Sequence, residues 1–270
     1  MSSETRQRAA SAASADDSAG RLQLLSCNIL AGGSVSSYRD YVTQSWKHVL
    51  PMRSKRGNLD RFAKVLSEFD LVGLQEADAG SLRSGFLNQT QYLAEAAGFP
   101  YWSHQPNRKI SQFAASSNGL LTRLEPAEVL DYPLPSRIPG RGALWVRFGE
   151  GDNALVVLIA HLSLSAAARK RQIEFLGELI GDAPNVVLMG DLNCTAKSAE
   201  MRSLFRRTSL APPDSAPPTF PSWEPTRAID HIIVSSGMRV EEMWTLPHPV
   251  SDHLPIAARV RLPMAMNRAA

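Results

Sequence analysis

Val186-Val187-Leu188-Met189-Gly190-Asp191-Leu192-Asn193 decides how this chain is read. Four apolar residues, the first two β-branched, predict a buried strand, and a glycine, a carboxylate and an amide follow directly. An uninterrupted apolar run belongs in a sheet covered on both faces. Polar groups at its end are costly to desolvate unless they face a cleft. The same arrangement recurs elsewhere. Leu71-Val72-Gly73-Leu74 runs into Gln75-Glu76, Ala154 to Ala160 runs into His161, and Ser251-Asp252-His253 stands just before the strand-like Ile256 to Leu262. Polar clusters at strand after strand point to one acidic, metal-holding site, and so to an enzyme.

Outward from that stretch, short β-like runs alternate with amphipathic ones. Strands are expected at Leu22–Asn28, Leu71–Leu74, Gly119–Thr122, Ala127–Tyr132, Ala143–Phe148, Ala154–Ala160, Val186–Met189, Ile229–Val234, Val240–Leu246 and Ile256–Leu262. Helices are expected at Leu59–Phe69, Phe86–Ala97 (stopped by Gly98 and Pro100), from a Ser165 cap through Ile180 to Gly181, and at Ser198–Arg206. So many strands exclude a helical bundle. Hairpin-like and helix-crossed strands together predict an α+β fold, a four-layer α/β/β/α sandwich of two mixed β-sheets packed face to face with helices outside. Nothing between about 21 and 263 reads as an interdomain linker and no internal repeat is present. The expected organisation is a tail over 1–20, one catalytic domain over 21–263 and a C-terminal tail over 264–270.

Composition narrows the classes. The 270 residues are 44% hydrophobic and 20% charged, ordinary for a globular protein, and the net charge is +3. A weakly basic body is compatible with a phosphate-bearing substrate. Two cysteines, Cys27 and Cys194, exclude a disulfide framework and a thiolate zinc site. Both read as small buried side chains at strand ends. No apolar run approaches the ~20 residues needed to span a bilayer. Residues 1–20 hold Ser, Ala and mixed charges without an apolar signal core, so a cytoplasmic monomer is the expectation. Two irregular segments carry aromatics. Gly32–Asn58 holds Tyr38, Tyr41 and Trp46 among basic residues, and the proline-rich Ser209–Arg227 holds Phe220 and Trp223. Irregular segments of this length in compact domains are usually functional or disordered, and the aromatics favour walls of a substrate cleft over disorder, with simple packing over the sheet edges as the alternative.

The chemistry follows from residue types. Phosphoester hydrolysis needs an activated water, positive charge on the non-bridging oxygens and an acid for the leaving oxygen. Magnesium prefers carboxylate and amide oxygens. Beside β-like runs the chain offers Glu76, Asp191, Asp230 and Asp252, the amides Asn28 and Asn193, and the imidazoles His161, His231 and His253. His231 follows Asp230 by one position, so in a strand it points to the opposite face and reads as structural. His161 has a competing reading as a satisfied core histidine. His48, His104 and His248 read as surface or loop residues. Nucleophile-elbow, zinc-protease, Walker and dinucleotide signatures are missing from the sequence. A hydrolase working through metal-activated water remains.

Asn28, Gln75-Glu76, Asn118-Gly119, His161-Leu162, Gly190-Asp191-Leu192-Asn193, Ile229-Asp230-His231 and Ser251-Asp252-His253 occur in that order. The order resembles the endonuclease/exonuclease/phosphatase superfamily of metal-dependent phosphoesterases, across nearly everything from Leu22 to Leu262. The resemblance implies Mg²⁺, or Mn²⁺, held by Glu76 with Asn28 and Asp252 nearby. It implies that Asp191 positions or deprotonates the attacking water and that Asn193 binds a phosphate oxygen. His253 would contact the scissile phosphate, oriented by Asp230, with His161 near the leaving oxygen. Asn118 and Arg141 are candidate substrate contacts. The expected substrate is a phosphoester, with nucleic acid as the leading case and lipid headgroups or sugar and inositol phosphates as alternatives. A non-catalytic binding member of the family is the alternative of a different class.

Overall fold

The computed structural model describes residues 20–29, 53–79, 88–110, 114–137, 140–248 and 250–263. The expected tail before Gly20, the tail 264–270, the aromatic residues of the Gly32–Asn58 segment and Phe86 lie outside these residues, as do the side chains of Asn107, Arg108 and Lys109. In chain order the elements are β1 (Arg21–Asn28), α1 (Arg53–Leu66), β2 (Leu71–Asp78), α2 (Gln89–Ala97), β3 (Tyr101–Ile110), β4 (Ala114–Thr122), β5 (Glu128–Pro133), β6 (Gly142–Phe148), β7 (Leu155–His161), α3 (Ala166–Ile180), β8 (Asn185–Asp191), α4 (Ala199–Arg207), β9 (Asp230–Val234), β10 (Arg239–Thr245) and β11 (Ile256–Arg261). Two mixed sheets result, β10-β11-β1-β2-β4-β3 and β5-β6-β7-β8-β9. Parallel pairs, β1 with β2 and β7 with β8, sit inside each sheet and antiparallel neighbours flank them.

Alternation along the strands creates the layers. Leu22 and Leu24 of β1, Leu71 of β2, Val157 and Ile159 of β7, and Val187 and Met189 of β8 enter one central core between the sheets. The intervening residues face outward. Leu25, Val72 and Leu74 join Phe62 and Leu66 of α1 and Leu93 of α2 in a second core. Val156, Leu158 and Leu188 meet Ile173 and Leu176 of α3 and Met201 and Leu204 of α4 in a third. Three apolar clusters separate four layers, the α/β/β/α sandwich expected from the sequence. Gly73 lies on the inner face of β2, where an added Cβ would stand 3.2 Å from Ile159 and 3.3 Å from Met189. A side chain there would press on the facing sheet.

Several sequence expectations are corrected. Strand β2 continues to Asp78, so Gln75 and Glu76 lie within a strand rather than after it. The Tyr101–Ile110 strand was not expected, because its polar sequence lacks an apolar alternation; it is held by pairing along β4. The helix expected over Leu59–Phe69 runs from Arg53 to Leu66, starting inside the segment read as irregular. Ser165 occupies the N-cap of α3 without a side-chain bond, whereas Asn88 and Ser198 cap α2 and α4 by accepting from Gln91 N and Met201 N. Among the described residues, no helix is long and apolar enough to cross a membrane.

Candidate active site

The two parallel pairs end on the same side of the sandwich, and their last inward-facing residues are polar. In β7 the inner series Leu155, Val157, Ile159 continues to His161; in β8 Val187 and Met189 continue to Asp191; in β9 Asp230 precedes Ile232 and Val234. Register sets His161 beside Asp191 and Asp191 beside Asp230 across three strands. Opposite them, β1 ends on Asn28, paired with Gln75 of β2. Apart from the half-exposed rim, these groups are buried: Asn28, His161, Asp191, Asp230 and His253 are each at most 7% exposed.

Gly190 makes the turn into Asp191 possible. Its φ is 135°, and a Cβ there would lie 1.9 Å from the carbonyl oxygen of Ala160 on the neighbouring strand. Glu76 arrives differently. Strict alternation would send it outward with Leu74, but the β2–β4 register shifts between Leu74 and Ala77, and Glu76 has a φ of 57°. A bulge of this kind re-aims a side chain, and Glu76 Oε1 lies 3.8 Å from His161 Nε2. Asn193, with φ 52°, is the other non-glycine residue with positive φ among those described. Both left-handed residues therefore border the site, where backbone strain tends to be held.

Asp191 is the convergence point. Its Oδ2 accepts from Asn28 Nδ2 at 3.5 Å and lies 3.3 Å from His161 Nε2 and 3.9 Å from His253 Nε2. Its Oδ1 accepts from the backbone N–H of Asn193 at 3.0 Å. Burial opposes ionisation, but the hydrogen bond and charge of His161, the charge of His253 and the Asn193 N–H outweigh it and hold the carboxyl at about 2. His253 is its counterpart. Its Nδ1 donates to Asp230 Oδ2 at 2.8 Å. Burial disfavours the imidazolium, yet Asp230 by charge and hydrogen bond, then Asp191 and Asp252, raise it to about 10. Asp191, Asp230 and His253 each place one potential ligand atom within 4.8 Å of the others. The Asp230–His253 bond makes that group a hydrogen-bonded relay as well as a possible metal cluster.

The remaining expected residues fall around this centre. Arg141 Nη1 meets His161 Nε2. Asn193 Nδ2 donates to Leu162 O at 3.0 Å. Ser251 Oγ donates to Asn28 O at 2.6 Å and accepts from His253 N at 3.0 Å, fixing the Ser251-Asp252-His253 turn to the end of β1. Asp252 is half-buried and its carboxyl is raised, by burial first and then by Glu76 and Asp191 against the opposing charge of His253. Asn118 is fully buried beneath the site. Its Nδ2 donates to Gly142 O at 2.8 Å and to Gln105 Oε1 at 3.1 Å, and it lies 3.4 Å from Ile159 O. Gln105 in turn donates to Tyr132 O and Ala143 O. This amide pair ties the two sheets together behind Arg141. His231 points to the outer face, as alternation predicts, with Nε2 2.7 Å from Cys194 O.

Sequence reasoning missed Thr219 and Gln105, and took Phe220 only as a cleft wall. Thr219 Oγ1 lies 2.5 Å from Asp230 Oδ2, and the Phe220 ring packs on His253 with centroids 4.9 Å apart. Neither residue belongs to a strand with readable alternation. The only signal was the placement of aromatics in an otherwise irregular, proline-rich segment.

Comparison with known proteins agrees with this fold. A structure of an endonuclease/exonuclease/phosphatase from Beutenbergia cavernae matches with a TM-score of 0.69 at 21% identity, covering 91% of this chain and 72% of that one. A mannosyl-6-phosphatase from Bacteroides thetaiotaomicron matches at 0.62 and 19%, covering 88% and 99%. Sphingomyelinase C from Streptomyces griseocarneus matches at 0.60 and 17%, also covering 88% and 99%. Likeness at these identities establishes the fold alone. No curated protein sequence matches the chain. The family model described as Endonuclease/Exonuclease/phosphatase family matches residues 25–253, from β1 through His253, and so spans every side chain that converges on Asp191. The chain belongs to the endonuclease/exonuclease/phosphatase family.

Proposed function

We propose that this chain is a divalent-metal-dependent phosphoesterase in which Asp191 positions or deprotonates a water against a phosphoester held by His253, Asn193 and Arg141. Members of the family are hydrolases of phosphoester bonds. The observation that carries the reading for this chain is the Asp191 carboxylate, buried yet kept ionised among Asn28, His161, Asn193 and His253. A general base must be unprotonated and within reach of the proton it takes, and Asp191 meets the first condition over the whole neutral range.

Glu76, Asn28 and Asp252 are the residues that would hold Mg²⁺ or Mn²⁺. Two carboxylates and an amide are the hard oxygen donors such ions prefer. The Asp252 carboxyl, raised first by burial, also feels the negative charges of Glu76 and Asp191. A bound divalent cation supplies positive charge to the phosphoryl oxygens. The protein's own groups do the rest. With Nδ1 engaged by Asp230, His253 presents Nε2–H to a non-bridging oxygen. Asn193 keeps one amide hydrogen on Leu162 O and offers the other to the phosphate. His161 and Arg141 face the leaving oxygen, one as proton donor or ligand and the other as charge.

Nucleic acid is the leading substrate, supported by the net charge of +3 and the basic aromatic run Tyr38–Arg56. Likeness to a mannosyl-6-phosphatase and a sphingomyelinase C favours a second reading, a sugar phosphate or lipid headgroup. The test is hydrolysis of a bis-aryl phosphodiester with Mg²⁺, Mn²⁺ or chelator, followed by a panel of abasic and single-stranded DNA, RNA, sphingomyelin vesicles, and sugar and inositol phosphates. Turnover that survives chelation, or full activity in His253→Ala, would refute the mechanism. Binding without turnover on every substrate would favour a non-catalytic member.

A further inference from the structure

The structure assigns a positioning role to Thr219: its hydroxyl, with the Phe220 ring beside it, fixes Asp230 and thereby the orientation of His253. The inference rests on the proposed phosphoesterase site and adds residues that the motif pattern did not include.

Asp230 Oδ2 has two partners from different parts of the chain, Thr219 Oγ1 at 2.5 Å and His253 Nδ1 at 2.8 Å. The Thr219 hydroxyl carries one hydrogen and has two acceptors in reach, the Asp230 carboxylate and Arg227 O at 3.4 Å. The shorter bond to a charged oxygen prevails. The same hydroxyl lies 3.4 Å from the backbone N–H of Asp230, so Thr219 grips both the side chain and the main chain of that residue. Thr219 is fully buried, so no exposed water competes for these bonds.

The segment around Thr219 is anchored on both sides. Thr219 N and Phe220 N donate to Arg227 O, and Arg227 N donates to Phe220 O, closing a small loop. Leu254 N donates to Thr219 O, and Ser222 N donates to Asp252 O. Ser222 Oγ donates to Ser251 O. The loop is therefore laced to both sides of His253. Its Phe220 ring lies against the imidazole at a 53° tilt, and the Arg227 guanidinium lies 5.7 Å from the centre of that ring. The bond to Asp230 fixes one end of the imidazole plane and the ring restricts its swing, which leaves Nε2 aimed toward Asp191. A proline-rich segment with no element of its own thus holds the histidine that touches substrate.

Partners of this kind typically change activity about 10- to 100-fold when removed. Thr219→Val keeps the shape and deletes the hydroxyl. Its kcat is expected to fall by about that factor with KM little changed, and Thr219→Ser is expected to restore most of the loss. An independent readout is the proton on His253 Nδ1. Its low-field NMR resonance, assigned by its absence in His253→Ala, should persist in Thr219→Ser and shift or broaden in Thr219→Val. Thr219→Ala cannot overpack and carries the same expectation. Unchanged kcat or an unmoved resonance in Thr219→Val overturns the assignment. Loss of folding in both Val and Ala variants would also overturn it, making Thr219 a folding residue. If the wild type hydrolyses no phosphoester, the functional reading fails by itself, while the resonance still reports on Thr219.

Discussion

The two halves of the site are built by different means. The five-stranded sheet delivers His161, Asp191 and Asp230 as adjacent partners in an unbroken ladder. The six-stranded sheet delivers only Asn28 in that way. Glu76 comes from a bulged, left-handed position, and Asp252 and His253 come from a turn before β11. Regular register places a residue at no local cost. Irregular backbone needs support from elsewhere, and Ser251 and Thr219 supply it here. The regular half should therefore fail through chemistry or gross packing, and the irregular half through orientation.

The largest expected effect tests one residue from each half. Asp191→Asn and His253→Ala should each lower kcat about a hundred- to ten-thousandfold, the range for a lost acid–base group, read by steady-state hydrolysis of an aryl phosphodiester. Next comes the ladder itself. Gly190→Ala places a methyl group 1.9 Å from Ala160 O, so the strands must part, and denaturant unfolding should show a loss of about 3 kcal/mol or more. The bulge should respond in the opposite sense. Glu76→Gly relieves a left-handed conformation that costs an L-residue about 1–2 kcal/mol, so stability should rise by up to that amount while metal-dependent turnover disappears. A Tm that falls in Glu76→Gly would break the strain argument.

The most gradual effect separates His253 from His231. His253 is raised to about 10, above its unfolded value near 6.5, so its contribution to stability is complete below pH 6.5 and is lost as pH climbs toward 10. His231 is lowered, chiefly by burial, so its contribution is present above 6.5 and is lost as pH falls through its depressed pKa. In metal-free protein, chemical denaturation between pH 6.5 and 10 should show stability decreasing by no more than about 1.4 kcal/mol per unit from this group. His253→Ala should flatten that limb.

The regular half was legible in the sequence, since Val186–Asp191 and Leu155–His161 carry both the apolar series and the polar residue that continues it. Alternation also predicted that His231 faces away from Asp230. It could not predict Glu76, because a bulge reverses parity without a marker in composition. It missed β3, where Gln105 is buried through amide bonds rather than apolarity. It missed Thr219, whose partner lies 11 positions away in a separate element. Side chains whose place depends on contacts between irregular segments leave no periodic trace.

The missing side chain at Gly73 reaches further than local packing. Half the site rides on each sheet, so the backbone spacing of the sheets, near 10 Å in such sandwiches, bears on how closely the halves meet. Ile159 and Met189 face Gly73 only two strand positions below His161, Asp191 and Gln75. The central core thus works as a shim: a methyl group more or less in a layer that never meets substrate would widen or narrow the aperture available to a phosphoester.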